Sequence, residues 1–231
     1  MTALIAIPAL GCDARLYDPI RPFLPASLDL SVAIADGDSF AACVAQVLAQ
    51  APERFVAMGT SFGGRLALEL TLAAPERVSG LVVIGAGAGP VADPIAGRRR
   101  SERLRSGAAA DVVAEMAAII SHLPGPRGAA ARDGFSAMAQ TQGPALMARQ
   151  SDALAQRIDL WPRLAEIRCP ALMLWGDHDR FSPAADGLRM SAAVAHGRFV
   201  ELSDCGHLPT LEYPEESAAA ISHWLGDWRL T

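Results

Sequence analysis

Short apolar runs rich in Val, Ile and Leu recur along the chain, most of them followed by a stretch whose apolar residues fall three and four apart. The runs at 4–7, 30–34, 55–58, 81–84, 171–175 and 199–202 have the length and composition of strands. Helical spacing marks 16–23, 40–50, 64–74, 184–194 and 214–228. Strands alternating with helices predict the α/β class, an open, doubly wound, mostly parallel sheet of about six strands covered on both faces. One segment breaks the rhythm, because residues 85–168 are too long for a crossover and too helical for a loop. Within it, 112–123 and 145–157 carry helical spacing and are separated by GPRGAAARDG and by Gly143-Pro144. The expected division is a core of residues 1–88 and 169–231 with a helical cap, 89–168, inserted in it.

The run at 55–58 ends in Gly59-Thr60-Ser61-Phe62-Gly63, and from Gly64 onward Leu66, Leu70 and Ala73 share one helix face. A strand therefore turns sharply into a helix on a serine. Such a turn lifts the Ser61 hydroxyl clear of the sheet edge and puts helix N-terminal N–H groups behind it. The two glycines permit it, since a Cβ at either would meet the adjoining strand or helix.

Composition narrows the surroundings of this serine. A chain of 231 residues builds one sizeable core without disulfides or metals. No apolar run approaches the roughly 20 residues of a membrane helix, and TALIAIPAL, lacking a basic leader, reads as the first strand, so a cytoplasmic protein with no membrane partner is expected. With a net charge of -5 there is no long basic stripe, and nucleic acid is not an expected partner. All 20 basic residues are arginine. The cluster Arg98, Arg99, Arg100, Arg103, Arg105 reads as a solvated helix face, with attraction of an acidic substrate as the alternative. Cys12, Cys43, Cys169 and Cys205 stand too far apart for a zinc site or a disulfide framework. They are expected to be buried thiols, with Cys12 and Cys205 near enough to the site to make it oxidation-sensitive. No cofactor or metal is expected, and the chain is expected to be a monomer or homodimer.

A serine hydroxyl needs a base, and the base an orienting carboxylate. Among five histidines, His207 follows the strand at 199–202 through Ser203-Asp204-Cys205-Gly206, placing it on a strand-end loop. His122 falls in the cap, His196 on a turn and His223 on the last helix, positions where packed or surface histidines are ordinary. For the acid, ALMLWGDHDRFSP offers Asp177 and Asp179. Asp177 adjoins the turn glycine and is expected to bond its own backbone, which leaves Asp179 to reach toward the histidine. Asp93 is a third candidate, and His178 is expected to point away from its two aspartates.

The chain order Ser61, Asp179, His207 is the order of the α/β-hydrolases. GTSFGG, WGDHDRFSP and SDCGHLPTLEYPE together resemble that superfamily, in the branch of cap-bearing esterases and carbon-carbon hydrolases. The resemblance covers nearly the whole chain and is weakest in the cap. It implies an oxyanion hole from the backbone N–H groups of Leu10 and Phe62, although Pro8-Ala9 stands where many relatives carry His-Gly. It implies that the usual first hairpin is missing. It also implies a serine hydrolase, carboxylesterase-like, cleaving a small ester through an acyl-enzyme. In the cap, Met116, Ile119, Ile120, Met138 and Met147 either line the site, which would suit an apolar substrate group, or pack the cap on itself. The same triad serves carbon-carbon bond hydrolases of ring-fission diketones, lactonases, thioesterases and acyltransferases. Relatives that cleave carbon-carbon bonds often carry Trp where Leu208 stands. Dehalogenases and epoxide hydrolases would need an aspartate at position 61. A non-catalytic small-molecule-binding protein on the same fold is the reading from another class.

Overall fold

The computed structural model describes residues 1–230, with the side chain of Pro94 excepted. Six strands form one sheet: β1 (Thr2–Ile7), β2 (Leu28–Val32), β3 (Phe55–Thr60), β4 (Val78–Ile84), β5 (Ala171–Gly176) and β6 (Gly197–Leu202). Their spatial order is β2-β1-β3-β4-β5-β6, and every pairing is parallel. The central β3 and β5 are buried at every position, whereas the edge strands β2 and β6 mix exposed and covered residues. That contrast is what a sheet sandwiched between helices requires.

The chain leaves β1 toward β2 on one side and returns to β3 on the other. Between β1 and β3 the connections therefore diverge, opening a crevice at the carboxyl ends of the strands. Ile7 of β1 pairs with Gly59 of β3, so the loop after β1 runs beside Ser61.

Helices α1 (Phe40–Gln50), α2 (Phe62–Ala73), α6 (Ala184–Ala193) and α8 (Pro214–Asp227) stand where apolar spacing predicts them, with the four-residue α7 (Pro209–Glu212) ahead of the last. The segment 16–23 differs from expectation. It forms two 3-10 turns, Ala14–Leu16 and Asp18–Phe23, because Pro19 and Pro22 remove the amide donors that an α-helix would need.

Between β4 and β5 lie α3 (Pro94–Arg105), α4 (Ala109–Ala117) and α5 (Gly128–Ala155). α4 ends six residues before the expected Leu123. α5 is two helices joined at Gly143 (φ 78°, ψ 166°), where the Gly143-Pro144 break was expected. The GPRGAAARDG spacer is instead mostly helical: its Ala and Arg residues are strong helix formers, and Ala131, Phe135, Met138 and Ala139 make a buried stripe. α5 is tied to the core by Gln150, whose amide accepts from Gly11 N–H (2.9 Å) and donates to Ala35 C=O (3.0 Å).

The turn from β3 into α2 leaves no room for side chains. A Cβ on Gly59 would lie 2.0 Å from the Gly63 carbonyl oxygen, and one on Gly63 would lie 1.9 Å from that of Ile7. These neighbours are backbone and cannot rotate away. Gly63→Ala is therefore expected to destabilise the fold at or above the upper end of the roughly 1–3 kcal/mol typical of overpacking, read as a lowered urea midpoint.

Candidate active site

Ser61 sits at φ 56° and ψ -114°, a region that non-glycine residues adopt at a cost of about 1–3 kcal/mol. The strain is held from both sides. Ser61 N–H donates to Ile84 C=O (2.8 Å), and its own carbonyl accepts Arg65 N–H in the first turn of α2 (2.9 Å). The buried Tyr17 hydroxyl braces the same corner, donating to Ile7 C=O (2.7 Å) and lying 3.1 Å from the Thr60 hydroxyl.

Ser61 opens on a cavity of about 350 Å³ that is also lined by Leu10, Phe62 and His207. Among the described residues, neither the Leu10 nor the Phe62 N–H is taken by a protein acceptor. The loop carrying Leu10 turns on Gly11, which adopts φ 73°. Ala9 and Leu10 stay out of the left-handed region, so an alanine in place of glycine is accommodated without strain. Its carbonyl closes the turn by accepting Cys12 N–H (2.9 Å).

His207 is buried, and its Nδ1 lies 2.7 Å from Asp179 Oδ2, with the two side chains 2% and 1% exposed. The other oxygen, Asp179 Oδ1, accepts the N–H groups of Phe181 (2.8 Å) and Ser182 (3.0 Å). A carboxylate so held fixes the imidazole ring and favours the proton on Nδ1, leaving Nε2 as the free base position. The pair fits only because Gly85, at the end of β4, has no side chain. A Cβ there would lie 2.9 Å from Asp179 Oδ2 and 3.2 Å from His207 Nδ1.

The competing residues lie elsewhere. Asp177 does not bond its own turn as expected; it accepts the N–H of Cys205 in the loop after β6 (3.1 Å). Asp93 caps α3, accepting from Ile95 and Ala96 N–H. His178, expected to point away from its two aspartates, instead brings Nε2 to 3.9 Å from Asp177 Oδ1; it is exposed and stacks on His122, ring centroids 4.0 Å apart and planes 7° from parallel. With Asp204 these two form a cluster of ligand atoms within 4.8 Å. Nearly parallel stacked rings direct their in-plane lone pairs side by side, so both cannot meet one ion at about 2.0–2.1 Å without turning. His196 and His223 are far from the cavity lining, the first against Trp228 and the second 3.8 Å from Asp227. Of the apolar residues expected to line the site, Met116 and Ile120 do and Ile119 lines an adjoining groove. Met138 and Met147 are packed inside, the latter against the loop at Gly11. Burial pushes the Cys12 and Cys205 thiols far up, away from the reactive thiolate, which opposes the expected oxidation sensitivity.

Glu212 is a part of the site that pattern reading passed over. It is 1% exposed, and its carboxylate accepts N–H groups from Gly206 (2.9 Å), Leu208 (3.1 Å) and His122 (2.8 Å), flanking His207 on both sides. His207 N–H itself donates to Ile120 C=O (3.0 Å). Nothing in local spacing marks Glu212, apart from its being an acid in the otherwise apolar HLPTLEYP segment. Glu212→Ala would strand the buried N–H groups of Gly206 and Leu208 and the half-buried one of His122, at about 1–3 kcal/mol for each buried donor. A loss of at least about 3 kcal/mol in urea unfolding is expected, with His207 freed from its fixed loop.

Comparison with known proteins agrees with this architecture. A model of the alpha/beta hydrolase family matches residues 3–220. The chain is 30% identical over 185 residues to a 2-hydroxy-6-oxononadienedioate/2-hydroxy-6-oxononatrienedioate hydrolase of Paraburkholderia xenovorans, covering 71% of this chain and 59% of that protein. It thus spans about three fifths of that relative's length. It is 26% identical over 242 residues to a pimeloyl-(acyl-carrier protein) methyl ester esterase of Aromatoleum aromaticum, covering 94% and 96% of the two chains. A solved esterase from Thermogutta terrifontis superposes with a TM-score of 0.90 at 22% identity, over 99% of this chain and 90% of that one. With the matched span, the all-parallel sheet and the strand-turn-helix at Ser61 in agreement, the chain belongs to the alpha/beta hydrolase family.

Proposed function

We propose that the chain is a serine hydrolase that cleaves a small carboxylic ester through an acyl-enzyme, with Ser61 as nucleophile, His207 as base and Asp179 as the orienting acid. The observation that carries this reading is the buried 2.7 Å Asp179–His207 pair opening on the same cavity as a serine held at φ 56°. His207 Nε2 takes the Ser61 proton as Oγ attacks the ester carbonyl, and the N–H groups of Leu10 and Phe62 receive the oxyanion. The proton then passes from His207 to the departing alcohol. Water, deprotonated by the same imidazole, attacks the acyl carbonyl and releases the acid and Ser61. Asp179 stabilises the imidazolium in each half. Residues 89–168 act as the cap over this site, on a core of 1–88 and 169–231.

The identity to a relative named for acting on a six-oxo dienedioate supports a second reading, carbon-carbon bond hydrolysis by the same residues. A substrate profile separates the two: p-nitrophenyl esters of two to eight carbons, thioesters, lactones and a ring-fission diketone, each with wild type. Ester turnover is the expected result. A diketone cleaved while every ester stays intact would favour the second reading.

A further inference from the structure

Three guanidinium groups line the cavity shared by Ser61 and His207: Arg65, Arg100 and Arg157. Their counter-charges differ. Arg65 is 2% exposed and paired with Glu69 (2.8 Å), and its remaining donors go to the carbonyls of Ala88, Gly89 and Ile158. Arg100 and Arg157 are half-buried. Arg100 Nε meets only the neutral Ser151 hydroxyl (3.0 Å), and Arg157 Nε is shut off from water with no acceptor.

Their neighbours on α3 behave otherwise, since Arg103 pairs with Glu115 and Arg105 with Asp152. Among the described residues neither Arg100 nor Arg157 has a carboxylate within ion-pair reach. The acidic residue in the cavity lining, Asp186, also makes no ion pair among them, and it offsets one of the two positive charges. Burial lowers the pKa of both guanidinium groups, and the like charges of Arg157 on Arg100 and of Arg65 on Arg157 lower them further. A protein of net charge -5 thus keeps a net positive charge in the lining of its cavity. A half-buried cation without a counter-charge bears part of its desolvation cost unrelieved, which a bound anion would offset. The same lining also carries the apolar Met116, Ile120 and Leu154.

We propose that Arg100 and Arg157 form a subsite for a carboxylate that the substrate carries apart from its scissile carbonyl, across an apolar spacer. The substrate class is then an ester bearing a second, free acid group, on its acyl or its alcohol side. This rests on the hydrolase reading for its placement of the scissile bond.

The test pairs esters matched in length. On the acyl side, mono-p-nitrophenyl glutarate is set against p-nitrophenyl valerate; on the alcohol side, 4-acetoxybenzoate against p-tolyl acetate. In one pair the anionic-to-neutral ratio of kcat/KM is expected to fall roughly 10- to 100-fold in Arg157→Met and in Arg100→Met, and less in Arg157→Lys. Which pair responds tells the side. Because Arg157→Met removes an unpaired charge, its thermal midpoint is expected to be no lower than wild type. Glutarate alone, followed by calorimetry, needs no turnover: binding to wild type and Ser61→Ala, and loss in both arginine variants, is expected. Ratios unchanged by either arginine variant in both pairs, or glutarate bound equally by wild type and variants, would overturn the subsite. Glutarate binding that depends on the arginines, with no ester cleaved, would keep the subsite and remove the ester-hydrolase reading.

Discussion

Replacing Ser61 by alanine is expected to lower kcat for any turned-over ester by about five to six orders of magnitude while leaving the fold and substrate affinity intact. Losses of that size follow when the nucleophile of a serine-histidine pair is removed, because the base and the acid have no other function in the cycle. The site argues for the whole effect falling on kcat. Ser61 contributes no side-chain hydrogen bond that holds the structure, and its strained backbone (φ 56°) is fixed by main-chain bonds to Ile84 and Arg65 that alanine keeps. Ser61→Ala therefore leaves the cavity and its arginines in place, and its thermal midpoint should stay close to wild type. A variant with kcat within tenfold of wild type would mean that another group attacks the substrate.

Asp179→Asn is expected to cost about 10,000-fold in kcat, and Asp177→Asn less than about threefold. The two aspartates lie two residues apart in one loop, yet their contacts differ in kind. Asp179 Oδ2 faces His207 Nδ1 at 2.7 Å while Oδ1 is held by the N–H groups of Phe181 and Ser182. An asparagine keeping its Oδ1 on those donors presents its NH₂ to the ring. That forces the proton onto Nε2, the wrong tautomer for a base, with losses of about that size. Asp177 instead accepts Cys205 N–H at 3.1 Å, which an asparagine oxygen does equally well. Steady-state kinetics of the two variants on one ester decides the matter. The reverse ranking would assign the acid to Asp177.

All six strands stand within three residues of where the apolar runs put them; β4 and β5, buried along almost their whole length, left the plainest runs. The elbow was legible in the Gly-x-Ser-x-Gly spacing: a Cβ on Gly59 would meet Gly63 within the same turn, although the clash at Gly63 is with Ile7 of the neighbouring β1. What the sequence concealed depends on contacts between distant segments. Glu212 looks like any surface acid until the chain brings Gly206, Leu208 and His122 around it. Gln150 is a polar residue on a helix whose partners, Gly11 and Ala35, lie more than a hundred positions away.

The arginines show the limit most clearly. The cluster at 98–105 reads as a solvated face, and for Arg98 and Arg99, both exposed, it is one. Of the cluster only Arg100 reaches the Ser61 cavity, whose lining it shares with Arg157, two residues beyond the end of α5. No period in either helix marks that meeting, since α3 and α5 pack against each other across 50 residues of chain. The expected apolar lining was half right for a related reason. Met116 and Ile120 reach the cavity, whereas Met138 and Met147 sit on the face of α5 turned toward its own packing.

The central claim is that Ser61 is a nucleophile activated by His207. It is tested most directly by treating the native protein with a fluorophosphonate and locating the adduct by intact mass and peptide mapping. A single phosphonyl adduct on Ser61 is predicted, absent in Ser61→Ala and slowed by orders of magnitude in His207→Ala. A protein that stays unmodified, or an adduct that maps to any other residue, would contradict it.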